Sequence, residues 1–176
     1  YEMKRLLHIG KYSFFLLLIA SCDKEGNIPV DTSLSVKLIA SSYEIKSGDS
    51  VTVSVEVKNA DSLFALSFEL RYDPELLNID PQADIVSTGN LFLNPFPAEP
   101  PILISDGQVS LGLGEWGSIQ KTVSGTACYM IFTALSTGTG TLYISSIDMI
   151  KKDGSEIDGL DNLLNDIDPL EIQVIE

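Results

Sequence analysis

Residues 48–59 read GDSVTVSVEVKN, and this stretch decides the fold of the chain. Valine occupies every second position from 51 to 57, with polar side chains between the valines. This two-residue period is typical of a strand that buries one face and exposes the other. The period returns in the next apolar run, at Leu66, Phe68, Leu70 and Tyr72. Both runs therefore predict half-buried strands.

Short strands separated by turn motifs fill most of the remaining chain. Asn59-Ala60-Asp61, Asp106-Gly107 and Asp153-Gly154 are such motifs. Many short alternating strands with almost no helical period predict an all-β sandwich. Residues 158–166 are expected to form one helical turn or a loop. The predicted strands are 34–40, 50–58, 63–72, 102–105, 108–113, 126–134, 140–148 and 170–175, with a short piece near 76–80 or 84–88.

Residues 89–101 break this pattern with prolines. Proline has no N–H to donate to a neighbouring strand, so the segment is predicted to be a sheet edge or a loop. Its apolar side chains are expected to cap one end of the core or to form a contact patch. They are Leu91, Phe92, Leu93 and Phe96.

The N-terminus has the order of features of a secretion signal. Basic residues at Lys4 and Arg5 precede the apolar run Phe14–Ala20, which is too short to span a bilayer core of roughly 30 Å. The sequence Ile-Ala-Ser-Cys at 19–22 resembles a bacterial lipobox, which implies lipidation of Cys22; an ordinary signal peptide with an incidental cysteine is the alternative. We therefore predict a signal peptide at 1–21, a lipidated cysteine and tether at 22–33, and a β-sandwich domain at 34–176. We therefore expect the protein to be a membrane-anchored lipoprotein on the cell surface or in the periplasm.

Charge and residue types exclude several functions. The net charge of -14 disfavours nucleic acid, which proteins bind largely by neutralising phosphates. His8 is the only histidine and lies in the predicted signal peptide, so His-dependent catalysis and His-ligated zinc are excluded from the mature chain. With Cys22 lipidated, Cys128 has no partner and is expected to be a small core residue. We predict no enzyme activity and no cofactor; a loop calcium held by Asp158 and Asp161 is the alternative.

Several motifs resemble the cohesin domain, the receptor module for dockerins on cellulosome scaffolds. The resemblance runs from Leu34 to the C-terminus. It implies a nine-stranded antiparallel β-sandwich of jelly-roll topology that binds a protein, such as a dockerin-bearing polysaccharide-degrading enzyme, and has no catalytic role. The motifs are Gly48-Asp49-x-Val51-x-Val53, Tyr72-Asp73-Pro74-x-Leu76-Leu77, Gly125-Thr126-Ala127 with Phe132, Gly138-x-Gly140-x-Leu142 and Ile172-x-Val174.

The resemblance also points to a binding face. In cohesins, the strands that match 63–72, 108–113 and 126–134 lie in one sheet, whose outer face receives the dockerin. Glu115 and Trp116 fall about where cohesins place an acidic contact loop. The strand that carries polar Asn or Asp contacts in well-studied cohesins has Ala65 and Ser67 here. By alternation, the outward residues predicted to bind the partner are Ala65, Ser67, Glu69, Ser110, Gly112, Tyr129 and Ile131.

Other interpretations of these residues stay open. Outward serine and alanine also occur on any solvated sheet face. In one alternative, the proline-rich segment covers Tyr129 and Ile131, so that no partner can reach them. In another, Trp116 packs on the rim of the sandwich and does not contact a ligand. A polysaccharide is the rival ligand, with Trp116, Tyr129 and Tyr143 as the candidate aromatic contacts. A structural role in an envelope complex is the third alternative. In each case we expect a monomer.

Overall fold

The computed structural model describes residues 32–79, 86–105, 107–117 and 122–176. The predicted signal peptide, Cys22 and most of the predicted tether lie outside these ranges. The helix of the described residues is α1, Leu160–Asp166. The strands are β1 Ser35–Ala40, β2 Glu44–Lys46, β3 Ser50–Asp61, β4 Leu63–Arg71, β5 Leu77–Asn78, β6 Val86–Thr88, β7 Pro95–Ser105, β8 Gln108–Glu115, β9 Thr122–Ala134, β10 Gly138–Lys151 and β11 Leu170–Ile175.

The strands form two sheets. Sheet A has the order β1-β3-β9, and β5 and β6 lie one after the other along the other side of β9. Sheet B has the order β2-β11-β10-β4-β8-β7. The pairings are antiparallel except for β2 with β11, which is parallel. The predicted all-β sandwich is confirmed, and one edge of sheet A consists of two separate segments, β5 and β6.

One apolar core lies between the two sheets. The alternating valines of β3 are all buried, and so are Leu66, Phe68 and Leu70 of β4. Each buries its side chain because the strand period directs every second residue inward. The two sheets meet where the ring of Tyr72 stands edge-on to that of Phe132, with 5.2 Å between ring centroids. Cys128 is fully buried in this core, and burial raises the pKa of its thiol to about 12.

The prediction that β4, β8 and β9 share a sheet is wrong. β4 pairs with β8 in sheet B, whereas β9 pairs with β3 in sheet A. In sheet A, Val53 lies opposite Met130 and Val51 lies opposite Phe132. Alternation identifies which side chains of β9 point to the core, but the core receives side chains from both sheets. The same pattern therefore fits a strand of either sheet.

Two irregularities in the pairing of β4 with β10 shape the surface of sheet B. Ala65 pairs with Ile150 and Leu63 with Lys151, so Phe64 is an extra residue on β4. Ser145 is likewise extra on β10, between the residues that pair with Leu70 and Glu69. Such bulges re-aim the side chain of the extra residue and interrupt the strict alternation of faces.

The proline-rich segment and the acidic C-terminal stretch both have regular structure. β7 begins at Pro95 and is the edge strand of sheet B, which is one of the two predicted outcomes. Residues 160–166 form α1, where the sequence predicted one turn or a loop. The helix follows Gly159, whose φ of 90° is unfavourable for residues with a Cβ, and it buries Leu163 against the core.

Candidate docking face

The outer side of β4, β8 and β10 forms an open surface, which we name the docking face. Ser67 lies opposite Gly112 and Glu69 opposite Ser110, while the alternate residues point into the core. The structure thus brings five of the predicted residues together, including Ala65 opposite Gly114. The docking face comprises Ala65, Ser67, Glu69 and Arg71 of β4, Gln108, Ser110 and Gly112 of β8, and Tyr143, Ser146, Asp148 and Ile150 of β10.

A shallow depression of about 290 Å³ lies in the middle of the docking face. It exists because the central positions carry hydroxyl groups or only a hydrogen where larger side chains would fill the space. Leu103 of β7, an exposed side chain, forms one apolar wall. The depression is lined by Ser67, Phe68, Glu69, Leu103, Ser110, Leu111, Gly112 and Ser146. It is large enough for one side chain of another molecule and too open to enclose a small molecule.

Glu69 is held in one orientation beside this depression. Its Oε1 accepts hydrogen bonds from Ser145 Oγ at 2.6 Å and from Arg71 Nε at 2.9 Å, and its Oε2 accepts one from Gln108 Nε2 at 2.5 Å. The bulge at Ser145 brings that hydroxyl within reach. The hydrogen bond from Ser145, together with the Arg71 guanidinium, lowers the pKa of the Glu69 carboxyl below 4.5. The docking face therefore presents a fixed, ionised carboxylate at neutral pH.

The resemblance implied that Glu115 lies in an exposed contact loop, but the structure shows that it does not. Its side chain is only 4% exposed. The carboxylate accepts hydrogen bonds from the backbone N–H groups of Leu93 and Asn94, at 2.7 and 2.9 Å. A buried carboxylate is stable here because those two donors replace water. Glu115 therefore ties the segment before β7 to the end of β8 and is not available to a partner.

Trp116, the next residue, is exposed, with 66% of its surface accessible. Its ring packs on Phe96 of β7, with 4.9 Å between centroids, and Phe96 in turn lies 6.2 Å from Phe64. We name these three residues the aromatic cluster. The ring of Phe96 covers Gly114, where a Cβ would come within 2.4 Å of it. Phe96 is one of the apolar residues that the sequence placed in a core cap or a contact patch. The sequence did not indicate Phe64 as a surface contact, because a bulge changes the direction of its side chain.

Tyr129 and Ile131 are exposed, but they lie on the other side of the molecule. They project from the outer face of sheet A, next to Ser54 and Thr52 of β3. Their exposed fractions are 40% and 39%, so no described segment covers them. The prediction that these residues belong to the same face as Ser67 and Gly112 is wrong, because β9 lies in sheet A.

The three aromatic residues considered for polysaccharide binding do not come together. Tyr143 lies opposite Arg71, at one end of the docking face. Trp116 follows the other end of β8, about 26 Å away along the strands, at roughly 3.3 Å per residue. Tyr129 is on sheet A. These three rings therefore form no common platform.

Acidic side chains in residues 153–158 form hydrogen bonds and an ion pair with nearby residues of the same chain. Asp158 Oδ2 lies 3.0 Å from Lys151 Nζ, and this hydrogen bond raises the pKa of Lys151. Asp153 accepts hydrogen bonds from the backbone N–H and the hydroxyl of Ser155. Among the described residues, no group of three or more acidic, cysteine or histidine side chains is placed to bind a metal ion. No helix in the described ranges is long and apolar enough to cross a membrane.

The described residues form an all-β sandwich whose sheet B has an open, hydroxyl-rich outer face. The family model described as Cohesin domain matches residues 36–162, and the chain belongs to this family. Cohesins are non-catalytic protein-binding modules, so the prediction that the chain is not an enzyme is confirmed.

Solved cohesin structures share this fold at low sequence identity. A non-cellulosomal cohesin from the archaeon Archaeoglobus fulgidus has a TM-score of 0.60 at 19% identity, covering 81% of this chain and 92% of that one. A type II cohesin–X–dockerin complex from Acetivibrio cellulolyticus gives 0.63 at 16%, with coverage of 81% and 100%. A type I cohesin–dockerin complex from Clostridium thermocellum gives 0.59 at 14%, with coverage of 80% and 99%. A search of curated proteins found no match.

Proposed function

We propose that this cohesin docks a dockerin-bearing protein through the docking face of sheet B. The observation that carries the proposal is the depression of about 290 Å³, set in an otherwise open face of small residues. Such a face allows the backbone of a partner to approach closely, and the depression gives one partner side chain a place to enter. Two of the three solved cohesin structures named above are complexes with dockerins.

We further propose that Cys22 carries the protein on a bacterial membrane, facing the periplasm or the outside. The proposal is supported by the basic, apolar and small-residue segments that precede Cys22 in that order. Lipid chains bind to membranes with about 0.8 kcal/mol per buried CH₂, so two or three chains give a stable anchor. A dockerin-bearing polysaccharide-degrading enzyme bound as the partner would then be held at that membrane.

The test is a binding titration of the full chain with purified dockerin modules from the same organism. Ser67→Arg places a long charged side chain over the depression, and we expect it to abolish binding. Ser50→Arg is the matched control, since Ser50 is an exposed serine on β3 of sheet A. Equal binding by both variants would rule out the docking face, and a wild-type chain that binds none of the modules would refute the dockerin proposal.

Polysaccharide binding is the second candidate, and the exposed indole of Trp116 favours it. Sugar rings stack on exposed aromatic faces. In the aromatic cluster, however, the planes are tilted by 49° and 56°, so no flat surface spans several sugar units. Affinity electrophoresis in soluble polysaccharides separates the two candidates: retardation that disappears in Trp116→Ala supports a glycan ligand.

A further inference from the structure

The aromatic cluster lies at the edge of the docking face, where a docked protein would reach it. Phe96 covers Gly114, which is two residues along β8 from Gly112 in the depression. Two residues of a strand span about 7 Å, so one element of a partner can contact both places. The indole of Trp116 is the most exposed ring of the cluster and lies 4.9 Å from the ring of Phe96, centroid to centroid.

A buried carboxylate fixes the position of this cluster. Glu115 binds the backbone N–H groups of residues 93 and 94, and the backbone N–H of Trp116 donates to Asn94 O at 2.9 Å. Phe96 and Trp116 are thus held on two neighbouring strands whose ends are tied together. Rigid aromatic side chains make effective contacts because little conformational entropy is lost when a partner binds.

The surroundings of the cluster are acidic. Phe64 follows Leu63, which pairs with Lys151, so the cluster lies at the end of sheet B where β10 leads into the stretch 152–158. Among the described residues from Lys151 to Asp158, together with Asp61, there are two lysines, Lys151 and Lys152, and four carboxylates, which are Asp61, Asp153, Glu156 and Asp158. The electrostatic effect of Asp61, Asp153 and Asp158 is already felt at Lys151. A cation that approaches Trp116 therefore meets both a negative aromatic face and an excess of negative charge.

We propose that the aromatic cluster is a second contact of the docked protein and receives a basic side chain, arginine or lysine, stacked on Trp116. The inference rests on the proposed function, since the same partner covers the depression. An arginine or lysine fits because its apolar stem packs on the rings while its charge remains near the carboxylates. The cluster then selects among dockerin-bearing proteins by the presence of a basic residue at this point.

The test compares two substitutions at Trp116 in the full chain, titrated with the dockerin modules that bind the wild type. Trp116→Phe keeps an aromatic face, and we expect an affinity within about threefold of the wild type. Trp116→Leu keeps apolar contact without an aromatic face, and we expect about tenfold weaker binding. Added salt should weaken binding of the wild type more than that of Trp116→Leu. The matched control is Tyr129→Leu, which removes an exposed ring from sheet A and should bind as the wild type does.

Each outcome decides one of the two claims. Equal binding by Trp116→Leu and the wild type, with binding lost in Ser67→Arg, overturns the second contact and leaves the proposed function intact. Equal loss in the Phe and Leu variants, with no difference in salt dependence, overturns the basic side chain. A wild type that binds none of the dockerin modules overturns the proposed function and with it this inference. Because Trp116 is the only tryptophan of the chain, a change in tryptophan fluorescence on addition of a dockerin module reports contact of that module with Trp116.

Discussion

Glu115→Gln is expected to destabilise the domain and to loosen the aromatic cluster. Glutamine has nearly the same shape, but only one of its two terminal atoms accepts hydrogen bonds. One of the bonds from Leu93 and Asn94 is therefore lost, and two N–H groups face each other in a buried position. A hydrogen bond to a charged acceptor is worth about 1.5–3 kcal/mol, so we expect a loss of about 2 kcal/mol in the free energy of unfolding.

Urea and thermal denaturation followed by circular dichroism measure this loss. For a domain of this size, 2 kcal/mol corresponds to a Tm lower by about 4–8 °C. The emission of Trp116 should shift to longer wavelength as its ring separates from Phe96. Glu171→Gln is the control, since Glu171 is exposed on β11. A change below about 0.5 kcal/mol, as for surface substitutions, would refute the assigned role of Glu115.

Three further predictions concern other parts of the chain. The pKa of Glu69 is lowered in the folded protein, so its contribution to stability is present above the unfolded value of 4.5 and is lost as the pH falls through the folded value. In Ser145→Ala, an NMR titration should show a higher pKa for Glu69. An unchanged pKa would contradict the assigned hydrogen bond. Burial and a pKa of about 12 make Cys128 inert, so a thiol reagent at pH 8 should modify it only in urea; modification in buffer would show an accessible thiol. Cys22→Ser should move the protein from the membrane to the soluble fraction of cells, and continued membrane association would refute the lipid anchor.

The strand pattern was readable from the sequence because each strand buries one face. Alternation at Val51–Val57 and at Leu66–Leu70 identified both the strands and their inward side chains. It did not identify the sheet to which β9 belongs, because strand pairing depends on contacts between residues far apart in the chain. Ser67 and Gly112 were placed correctly on one face, whereas Tyr129 was placed on the wrong sheet.

The sequence did not show that the three residues of the aromatic cluster come together, for a different reason. Phe64 leaves the alternation at a bulge, and a bulge is set by the register of the neighbouring strand rather than by the residue itself. Phe96 lies between two prolines, where sequence alone allowed either an edge strand or a loop. Glu115 looked like an exposed acid because nothing in its neighbours announces the two backbone donors that bury it.

The prolines of β7 affect how copies of the protein can pair with one another at the edge of sheet B. β7 is the outermost strand of sheet B, and Pro95, Pro97, Pro100 and Pro101 lack the amide hydrogen that an added strand would require. Its outer rim therefore offers no continuous row of donors along which a neighbouring molecule can extend the sheet. Pairing of this edge with the same edge of a second copy is thereby disfavoured.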